Sequence, residues 1–470
     1  MTLTHPTRTQ VSHAAINHHQ VIQRDGAEGA AVPLPTVLRR PGTRVVALSP
    51  RGLQLSDSGP EDETLWLPTG GPYDIALDSE AGREVLASDV FVGDLWLLGG
   101  QSNMEGCARL RGRELPRPEV RVLDMTGRWR AAEDPLHMKW LSPYPVHDQL
   151  SKERDERHAE RLLTEGPDAV AYMEDQLGPD ELVVEEMRLG VGPGVAFGNE
   201  LVRRTGVPVG LIPAAHGGSS MAEWSTELPR DGSSLFGAAL QSVALAGGRI
   251  RGLLWYQGES ESDPGTPWTY DDELATLFDR LRTSLGYPDL FIACVQLGRY
   301  ALPGRHTDFD LRWSRLREAQ RLCASASAVV TAVDLELDDP IHLATAGQLR
   351  LGRRLARVAA GDAAITLRRV EVTRDGLGVD VTFDGVTGGL SAHGGRLVGF
   401  SIRKPDGTDC AMVFHEEVID GATVRLQLSR RVIEGDQLWY GFGADPVCNI
   451  VDAEDMAVPA FGPVTLTSAG

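Results

Sequence analysis

The run Val90-Phe91-Val92-Gly93-Asp94-Leu95-Trp96-Leu97-Leu98, closely followed by Gly100-Gln101-Ser102-Asn103-Met104, sets the architecture of this 470-residue chain. The first segment is almost wholly apolar, which is typical of a buried strand in an α/β sheet. The second segment places a serine between small and amide residues at the point where that strand ends. Its hydroxyl can therefore project from the edge of the sheet, which is the geometry that a nucleophile needs.

The region around this strand alternates apolar strands with helical periods, from Asp89 to about Ala360. This alternation predicts an α/β sheet with helices on both faces, and ligands bind at the strand ends of such sheets. After the first strand we expect strands at 207–212, 250–256, 290–296 and 328–333, and helices at 194–204, 234–246, 270–285, 309–322 and 344–359.

Both flanks of this region show short apolar runs divided by Gly, Pro and Asp turns, which predict β structure. We therefore expect an N-terminal β-rich accessory segment at 1–88, a central α/β domain at 89–362 and a C-terminal β-rich domain at 363–470. Residues 105–188 fit the α/β pattern poorly, because they are charged and interrupted by proline. They are interpreted as an insertion that covers or borders the site, with a helical stretch around Lys152 to Leu163.

Composition excludes several classes of function. Lys and Arg total 46 against 66 Asp and Glu, and the resulting net charge of −20 argues against a nucleic-acid-binding or anionic-membrane-binding surface. No segment approaches the roughly 18 apolar residues of a membrane span. The segment from Met1 to Gln23 lacks an apolar signal region, so we expect a cytoplasmic protein, or a secreted one if an export signal has been removed.

Cysteine and histidine spacing indicates neither disulfides nor a metal. The five cysteines are scattered and never form a Cys-x-x-Cys pair. His18-His19 lies on a polar tail and lacks the geometry of a closed metal site. We therefore expect no metal and no other cofactor, and the sequence makes no prediction about oligomeric state.

A second chemical signal lies far along the chain, in Asp339-Pro340-Ile341-His342. At this spacing the aspartate can fix the tautomer of the imidazole while the other ring nitrogen faces a serine. Taken alone, Asp-x-x-His can equally be a helix cap, since Asp favours such positions. Together with the serine at a strand end, it predicts a hydrolase.

Two more polar segments follow predicted strands. The segment 211–220 contains His216-Gly217-Gly218-Ser219, whose glycines let backbone N–H groups approach a ligand closely. The segment 254–260 contains Trp255-Tyr256-Gln257-Gly258-Glu259-Ser260, which offers an amide and a carboxylate at the same rim. We expect these segments to converge with Ser102 and His342 on one edge of the sheet.

In their order and spacing these four segments resemble the four blocks of the SGNH/GDSL-type hydrolases, specifically the sialate O-acetylesterase-like branch and related acetylxylan esterases. The resemblance extends to Trp66 with 68–73 near the N-terminus and to 443–450 near the C-terminus. It implies a flavodoxin-like three-layer domain with a parallel sheet, flanked by the two β-rich segments. It also implies a serine esterase that removes O-acetyl groups from carbohydrate through a covalent acetyl-serine intermediate.

The resemblance also assigns roles to residues. Ser102 would be the nucleophile, His342 the general base and Asp339 the residue that orients the imidazole. The backbone N–H groups of Ser102 and Gly218 and the side-chain amide of Gln257 would form the oxyanion hole. Gln257 stands where many SGNH enzymes have Asn, and some relatives work with a Ser–His pair alone. Asp338 is an alternative to Asp339 as the carboxylate.

Three further residues are candidates for substrate binding: His216, Glu259 and Trp224. Each has a structural alternative. His216 can pack within its loop, Glu259 can support the rim through hydrogen bonds, and Trp224 can belong to the core, as aromatic residues beside strand ends usually do.

Two competing functions remain at this point. One is a catalytically inactive carbohydrate-binding protein, against which the complete set of Ser102, Gly218, Gln257 and His342 argues. The other is a lipase or thioesterase of broader specificity, which is disfavoured because no apolar acyl-binding loop is evident beside Ser102.

Overall fold

The computed structural model describes residues 16–153, 189–301 and 307–467. The N-terminal part is mainly antiparallel β structure that leads into one long strand. β6 and β7 form a hairpin, β3 pairs with β4 and β6, and β2 pairs with β5 around a small apolar core of its own. The strands are β1 (Val21–Gln23), β2 (Gly29–Pro33), β3 (Arg44–Leu48), β4 (Gln54–Ser58), β5 (Thr64–Pro68), β6 (Gly70–Ser79) and β7 (Gly82–Gly100).

The second half of β7 lies within a predominantly parallel sheet. Leu95, Leu97 and Leu98 are buried there, as expected for a strand that is covered on both faces. The further strands of this region are β8 (Ala108–Arg109), β9 (Val120–Leu123), β10 (Trp129–Ala131), β11 (Leu189–Val191), β12 (Val209–Pro213), β13 (Gly252–Tyr256), β14 (Phe291–Gln296) and β15 (Ala328–Thr331).

The spatial order of the main path is β10-β9-β12-β7-β13-β14-β15. All neighbours in it are parallel except β10 and β9. The chain places β9 and β12 on one side of β7 and then returns to its other side with β13. The direction of winding therefore reverses at β7, and such a switch point opens a crevice at the carboxyl ends of the strands.

Helices cover this sheet on both faces. In the parallel register Trp96 of β7 lies beside Gly252 of β13, so Trp96 and Trp255 point to opposite faces. Trp96 packs on Phe197 and Trp255 on Phe278, which belong to two different helices. The helices of this region include α1 (Ser102–Glu105), α2 (Gly194–Thr205), α3 (Leu235–Leu245), α4 (Tyr270–Leu285), α5 (Thr307–Arg321) and α6 (Thr345–Ala359).

The C-terminal part consists of antiparallel sheets. One has the order β16-β17-β22-β21 and another the order β20-β19-β23-β25, while β18 pairs with β24. Phe383 of β17 contacts Phe461 of β25 across the two larger sheets. The strands are β16 (Thr366–Val372), β17 (Gly378–Asp384), β18 (Leu390–Ala392), β19 (Phe400–Arg403), β20 (Asp409–Ala411), β21 (Val413–Val418), β22 (Thr423–Leu428), β23 (Gln437–Tyr440), β24 (Ile450–Asp452) and β25 (Phe461–Thr465).

The predicted α/β class is confirmed in its coarse form, as a mixed α/β protein with parallel strands in its central sheet and many additional β segments. α4 has the predicted bounds, and α3 begins one residue later than predicted because Ser234 caps it, its side chain accepting a hydrogen bond from the Gly237 N–H. The first part of 105–188 contributes β9 and β10 to the sheet edge, and a helix is described over 145–153. Most of the predicted helix from Lys152 to Leu163 lies outside the described residues.

No helix among the described residues is both long enough and apolar enough to cross a membrane.

Candidate active site

Ser102 begins α1 directly after the carboxyl end of β7, at the switch point of the sheet. The turn depends on Gly100, which has φ of 126° and where a Cβ would collide with the carbonyl oxygen of Tyr256. The Gln101 N–H donates to that same carbonyl at 2.8 Å, and the Gly106 N–H donates to the carbonyl of Ser102 at 2.9 Å. The serine is thus held on a tight strand-to-helix turn, with 8% of its surface exposed.

His342 and Asp339 reach Ser102 from the loop that precedes α6. Nε2 of His342 lies 2.9 Å from Oγ of Ser102, and Nδ1 of His342 lies 2.6 Å from Oδ2 of Asp339. The other oxygen of Asp339 accepts the N–H groups of Ile341 at 2.8 Å and His342 at 2.7 Å. A hydrogen-bonded chain therefore runs from carboxylate to imidazole to hydroxyl. Asp339, rather than its neighbour Asp338, makes the contact with the ring.

The charge of Asp339 is well supported. Burial raises the pKa of its carboxyl group, but the hydrogen bond and charge of His342, together with the N–H groups of Ile341 and His342, outweigh that effect and hold the pKa below its usual value. The carboxylate is therefore ionised at neutral pH and favours the imidazole tautomer that carries its hydrogen on Nδ1.

Asn103 joins the serine turn to the histidine loop. Its side-chain N–H groups donate to Glu259 Oε1 at 2.7 Å and to the carbonyl of Ile341 at 3.3 Å. Its Oδ1 accepts the Leu343 N–H at 3.0 Å. Asn103 is fully buried, so its three bonds set the distance between the loops that carry Ser102 and His342.

The glycine-containing loop lies against the same end of β7. The N–H of His216 donates to the carbonyl of Gly100 at 3.0 Å, and Oγ of Ser219 donates to that carbonyl at 3.3 Å. Between them lies Gly218, exposed and with φ of 67°. The backbone N–H groups of Ser102 and Gly218 have no acceptor among the described residues. Both can therefore donate to an oxygen that enters the site.

Gln257 is fully buried beside this loop. Its Nε2 donates to the carbonyl of Ser219 at 3.1 Å and to Oε1 of Glu261 at 3.2 Å. Both amide hydrogens are thus engaged in this structure. Oε1 of Glu261 also accepts the Met221 N–H at 2.7 Å, so Gln257 and Glu261 together hold the loop that carries Gly218.

The three candidates for substrate binding are largely buried. Glu259 contacts Asn103, and burial raises the pKa of its carboxyl group against the opposing effect of that hydrogen bond. Trp224 is 3% exposed, donates from Nε1 to Ser219 Oγ at 2.9 Å and packs edge-on against Trp255. Their contacts are those of the structural alternatives, and substrate binding by them stays a prediction.

His216 forms a buried pair with His147. The rings stack with their centroids 5.2 Å apart, and their Nδ1 atoms lie 2.9 Å from each other. Burial, together with the smaller effects of the neighbouring His137 and Lys139, lowers the pKa of His147 to about 3. His147 is therefore neutral at ordinary pH, and the pair packs the described part of 105–188 against the glycine-containing loop.

Sequence reasoning missed four side chains that support the site: Glu105, Lys139, His147 and Glu261. The position of Glu105 directly after the serine motif is a sequence signal that could have identified it as a residue of the site. Lys139 and His147 lie in a segment without a recognisable motif, so nothing in the sequence linked them to Ser102.

No group of three or more His, Cys, Asp or Glu side chains suited to a metal ion occurs within 16–153, 189–301 and 307–467. What the described groups can do is proton transfer and nucleophilic attack: a serine hydroxyl, an imidazole within hydrogen-bond reach of it, an ionised carboxylate behind the imidazole and N–H donors nearby.

The central part of the chain is similar to a known protein family. The model of a protein family described as carbohydrate esterase, sialic acid-specific acetylesterase, matches residues 92–361. That range includes the serine turn, the glycine-containing loop, the Gln257 segment and the histidine loop.

Individual proteins are also similar to this chain. A probable carbohydrate esterase of Arabidopsis thaliana is 35% identical over 177 residues, which are 36% of this chain and 63% of that protein. The chain thus matches less than two thirds of that relative's length. The crystal structure of a carbohydrate acetylesterase from Xanthomonas citri has a TM-score of 0.61 at 21% identity, covering 95% of this chain and 97% of the other. An Arabidopsis thaliana structure has a TM-score of 0.40 at 26% identity, covering 56% and 96%.

Proposed function

The chain belongs to the family of carbohydrate esterases described as sialic acid-specific acetylesterases, and we propose that it is a serine esterase that removes O-acetyl groups from carbohydrate through a covalent acetyl-serine intermediate. The observation that carries the proposal is the chain of hydrogen bonds from Asp339 through His342 to Ser102, at 2.6 and 2.9 Å. Each contact is at a distance at which a proton can be shared or transferred.

In the first half of the reaction Oγ of Ser102 attacks the carbonyl carbon of the acetyl group while Nε2 of His342 takes the hydroxyl proton. The tetrahedral intermediate then collapses, the bond between the carbonyl carbon and the sugar oxygen breaks, and His342 gives its proton to that oxygen. The sugar leaves with a free hydroxyl group, and the acetyl group stays on the serine.

In the second half His342 takes a proton from water, and the resulting oxygen nucleophile attacks the acetyl-serine. Collapse of the second intermediate returns the proton from His342 to Ser102 and releases acetic acid, which loses its remaining proton to solvent and becomes acetate. Asp339 keeps its negative charge throughout and stabilises the imidazolium that forms in both halves.

The oxyanion of both intermediates would be held by the N–H groups of Ser102 and Gly218, with Gln257 as a third donor. In the free enzyme the amide hydrogens of Gln257 are given to Ser219 and Glu261. For Gln257 to act as proposed, one of these bonds yields as negative charge develops on the substrate oxygen.

The same proposal includes the finer name of the fold. Among the parallel strands, β12-β7-β13-β14-β15 has the order 2-1-3-4-5 when counted along the chain without β9. This is the order of flavodoxin-like sheets, which supports an SGNH-type three-layer domain between the two β-rich parts.

The test is acetate release by the wild type and by Ser102→Ala, measured on acetylated sialic acid, acetylated xylan and a short-chain aryl acetate. We expect release by the wild type to be lost in Ser102→Ala, because the variant lacks the attacking oxygen. Ser220→Ala is the matched control: Ser220 lies on the glycine-containing loop and its hydroxyl bonds to Glu223, so that variant should keep its activity.

A fluorophosphonate reagent tests the covalent step separately. It should add to a peptide containing Ser102 in the wild type and in Ser220→Ala but not in Ser102→Ala. Turnover that persists in Ser102→Ala contradicts the serine mechanism. A folded wild type that binds sugar but releases no acetate favours the inactive binding protein, and faster turnover of long-chain esters favours a lipase.

A further inference from the structure

The carboxylate of Glu105 lies beside the proposed nucleophile but is not part of the hydrogen-bonded chain of Asp339, His342 and Ser102. Glu105 is three residues after Ser102 in α1, and one of its oxygens accepts the Gly217 N–H. A Cβ on Gly217 would lie 3.1 Å from that oxygen and 3.6 Å from Cβ of Ser102. The carboxylate, the glycine-containing loop and the serine thus meet in one small volume.

The contact between Glu105 and Gly217 has a direct consequence for the oxyanion hole. Gly217 precedes Gly218, whose N–H has no acceptor among the described residues and is a proposed donor to the oxyanion. An acceptor that holds one N–H of this short loop also restricts the orientation of the next one. Within the described residues, the side chain of Glu105 joins α1 directly to the Gly217-Gly218 part of the loop.

A negative charge at this position opposes catalysis unless it is compensated. Both intermediates of ester hydrolysis carry negative charge on the carbonyl oxygen, and a nearby carboxylate raises their energy by Coulomb repulsion. Charges act strongly here because the side chain of Glu105 is only 13% exposed.

Lys139 supplies the compensating charge. Its Nζ lies 3.0 Å from Oε1 and 3.3 Å from Oε2 of Glu105. The opposite effects of the pair act on the neighbouring Cys107, whose thiol has its pKa raised to about 12, mainly by burial and next by the charge of Glu105, while Lys139 opposes the rise. Lys139 therefore offsets the field of Glu105 at a group close to the site.

We propose that Glu105 and Lys139 are a positioning pair, in which Glu105 holds the Gly217-Gly218 loop against the serine turn and Lys139 cancels the charge that this contact brings to the oxyanion site. The proposal rests on the proposed function and adds two residues to it. Neither residue contacts the substrate; both act through the N–H of Gly218.

The pair makes a specific prediction about four variants. Glu105→Ala removes the acceptor for Gly217, and Lys139→Met leaves Glu105 unneutralised, so each should lower kcat by about 10- to 100-fold with little change in KM. Glu105→Gln keeps an oxygen acceptor without charge and should recover most of the kcat that Glu105→Ala loses. Glu105→Gln combined with Lys139→Met should be faster than Lys139→Met alone, because no charge remains to be neutralised.

Lys152→Met is the matched control, since Lys152 forms an exposed ion pair with Asp148 in the same part of the chain. It should keep wild-type kcat and KM. Thermal melting of every variant separates loss of folding from loss of rate, and the rate of fluorophosphonate labelling of Ser102 gives a second readout of the same hole.

The outcomes are distinguishable. If the wild type turns over esters or labels at Ser102, equal rates for Lys139→Met and the double variant overturn the charge role, and an unchanged kcat in Glu105→Ala overturns the loop role. If the wild type neither releases acetate nor labels, the proposed function and the pair both fail. Recovery by the neutral substitutions supports the pair, because a merely structural ion pair would be weakened further by losing both charges.

Discussion

The hydrogen bonds and the exposure of Asp339 determine how strongly this residue can support the imidazole of His342. Its Oδ2 contacts the ring of His342, while its Oδ1 is held by the backbone N–H groups of Ile341 and His342. Its side chain is 44% exposed, so the contact with His342 is partly screened by water. Asp339 therefore orients and stabilises the imidazole less strongly than a fully buried carboxylate would.

Asp339→Asn should lower kcat for acetate release by about 10²- to 10⁴-fold, because the amide favours the wrong tautomer of His342 and cannot stabilise its charged form. The pKa of Asp339 is lowered below the usual value of 3.8 for an aspartate, so most of the wild-type carboxylate is still ionised when the pH falls to 3.8. Titration of Asp339 should therefore not affect kcat/KM above about pH 5, and the ratio of wild-type to variant kcat/KM should be constant on the alkaline plateau, where the imidazole is neutral in both proteins. Pre-equilibrated pH–rate measurements on an aryl acetate check both statements.

Asp338→Asn is the control for this prediction. Asp338 contributes a backbone N–H to the carbonyl of His342, and this contact survives the substitution. Equal losses in the two variants would remove the distinction between the carboxylates, and an unaffected Asp339→Asn would make the site a Ser–His pair.

At the scale of elements, the site depends on how the start of α1 is joined to the loop before α6. Asn103 makes this junction through buried bonds to Glu259, Ile341 and Leu343, and its own carbonyl accepts Nε2 of Gln348 in α6 at 3.0 Å. Ser102 and His342 are 240 residues apart in sequence. The junction rather than local geometry brings them together.

Asn103→Ala should lower the free energy of unfolding by about 2–3 kcal/mol, because a buried N–H of Leu343 and an oxygen of Glu259 lose their partner. We also expect acetate release to fall by more than tenfold at temperatures where the variant is folded, since His342 is no longer held at its distance from Ser102. Urea unfolding and steady-state kinetics measure the two effects.

Asn199→Ala provides the comparison. Asn199 also bridges two segments, accepting the Arg117 N–H at 2.8 Å and donating to the carbonyl of Leu115 at 3.0 Å, but it lies in α2 and has no hydrogen bond in the described structure to the loops that carry Ser102 and His342. It should lose about 1 kcal/mol of stability and keep its rate. A normal rate in Asn103→Ala would show that the loops are positioned by other contacts.

At the scale of the whole molecule, the C-terminal sheets are bound to the α/β region through a buried cation. Arg317 of α5 is 1% exposed and donates to the carbonyls of Leu297 and Gly298 on one side and of Gly441, Gly443 and Ala444 on the other. Burial lowers the pKa of its guanidinium group to about 10, so it stays charged at neutral pH. The N–H of Tyr300 adds a bond to the carbonyl of Ala444.

Arg317→Met should destabilise the protein by at least about 3 kcal/mol, because five buried carbonyls lose a charged donor. Arg315→Met on the same helix removes only a partly exposed ion pair with Asp271 and should cost less than about 1 kcal/mol. Urea unfolding of both variants compares them. Similar midpoints would show that the two regions are joined mainly by apolar packing.

The accuracy of the sequence-based predictions differed between elements for physical reasons. α4 was predicted with its observed bounds because its apolar period buries Leu274, Leu277, Phe278 and Leu281 on one face, and Gly286 ends it in a left-handed conformation. β7 is longer than predicted. Its first part is partly exposed and becomes a strand by pairing with β6, a partner that local periodicity does not reveal.

The proposed catalytic groups could be selected from the chain alone, since Ser102 at a strand end and the Asp339-x-x-His342 spacing are local patterns whose geometry follows from a few neighbouring residues. The strand and helix alternation was readable for the same reason. The contacts that support these groups could not be predicted from the sequence. Glu105 with Lys139, His147 with His216 and Gln257 with Ser219 join residues 34, 69 and 38 positions apart, and such pairs form only when the sheet order and loop packing place them together. Short-range periodicity predicts which face of a helix or strand is buried. Which residues pack against that face is determined only by the tertiary structure.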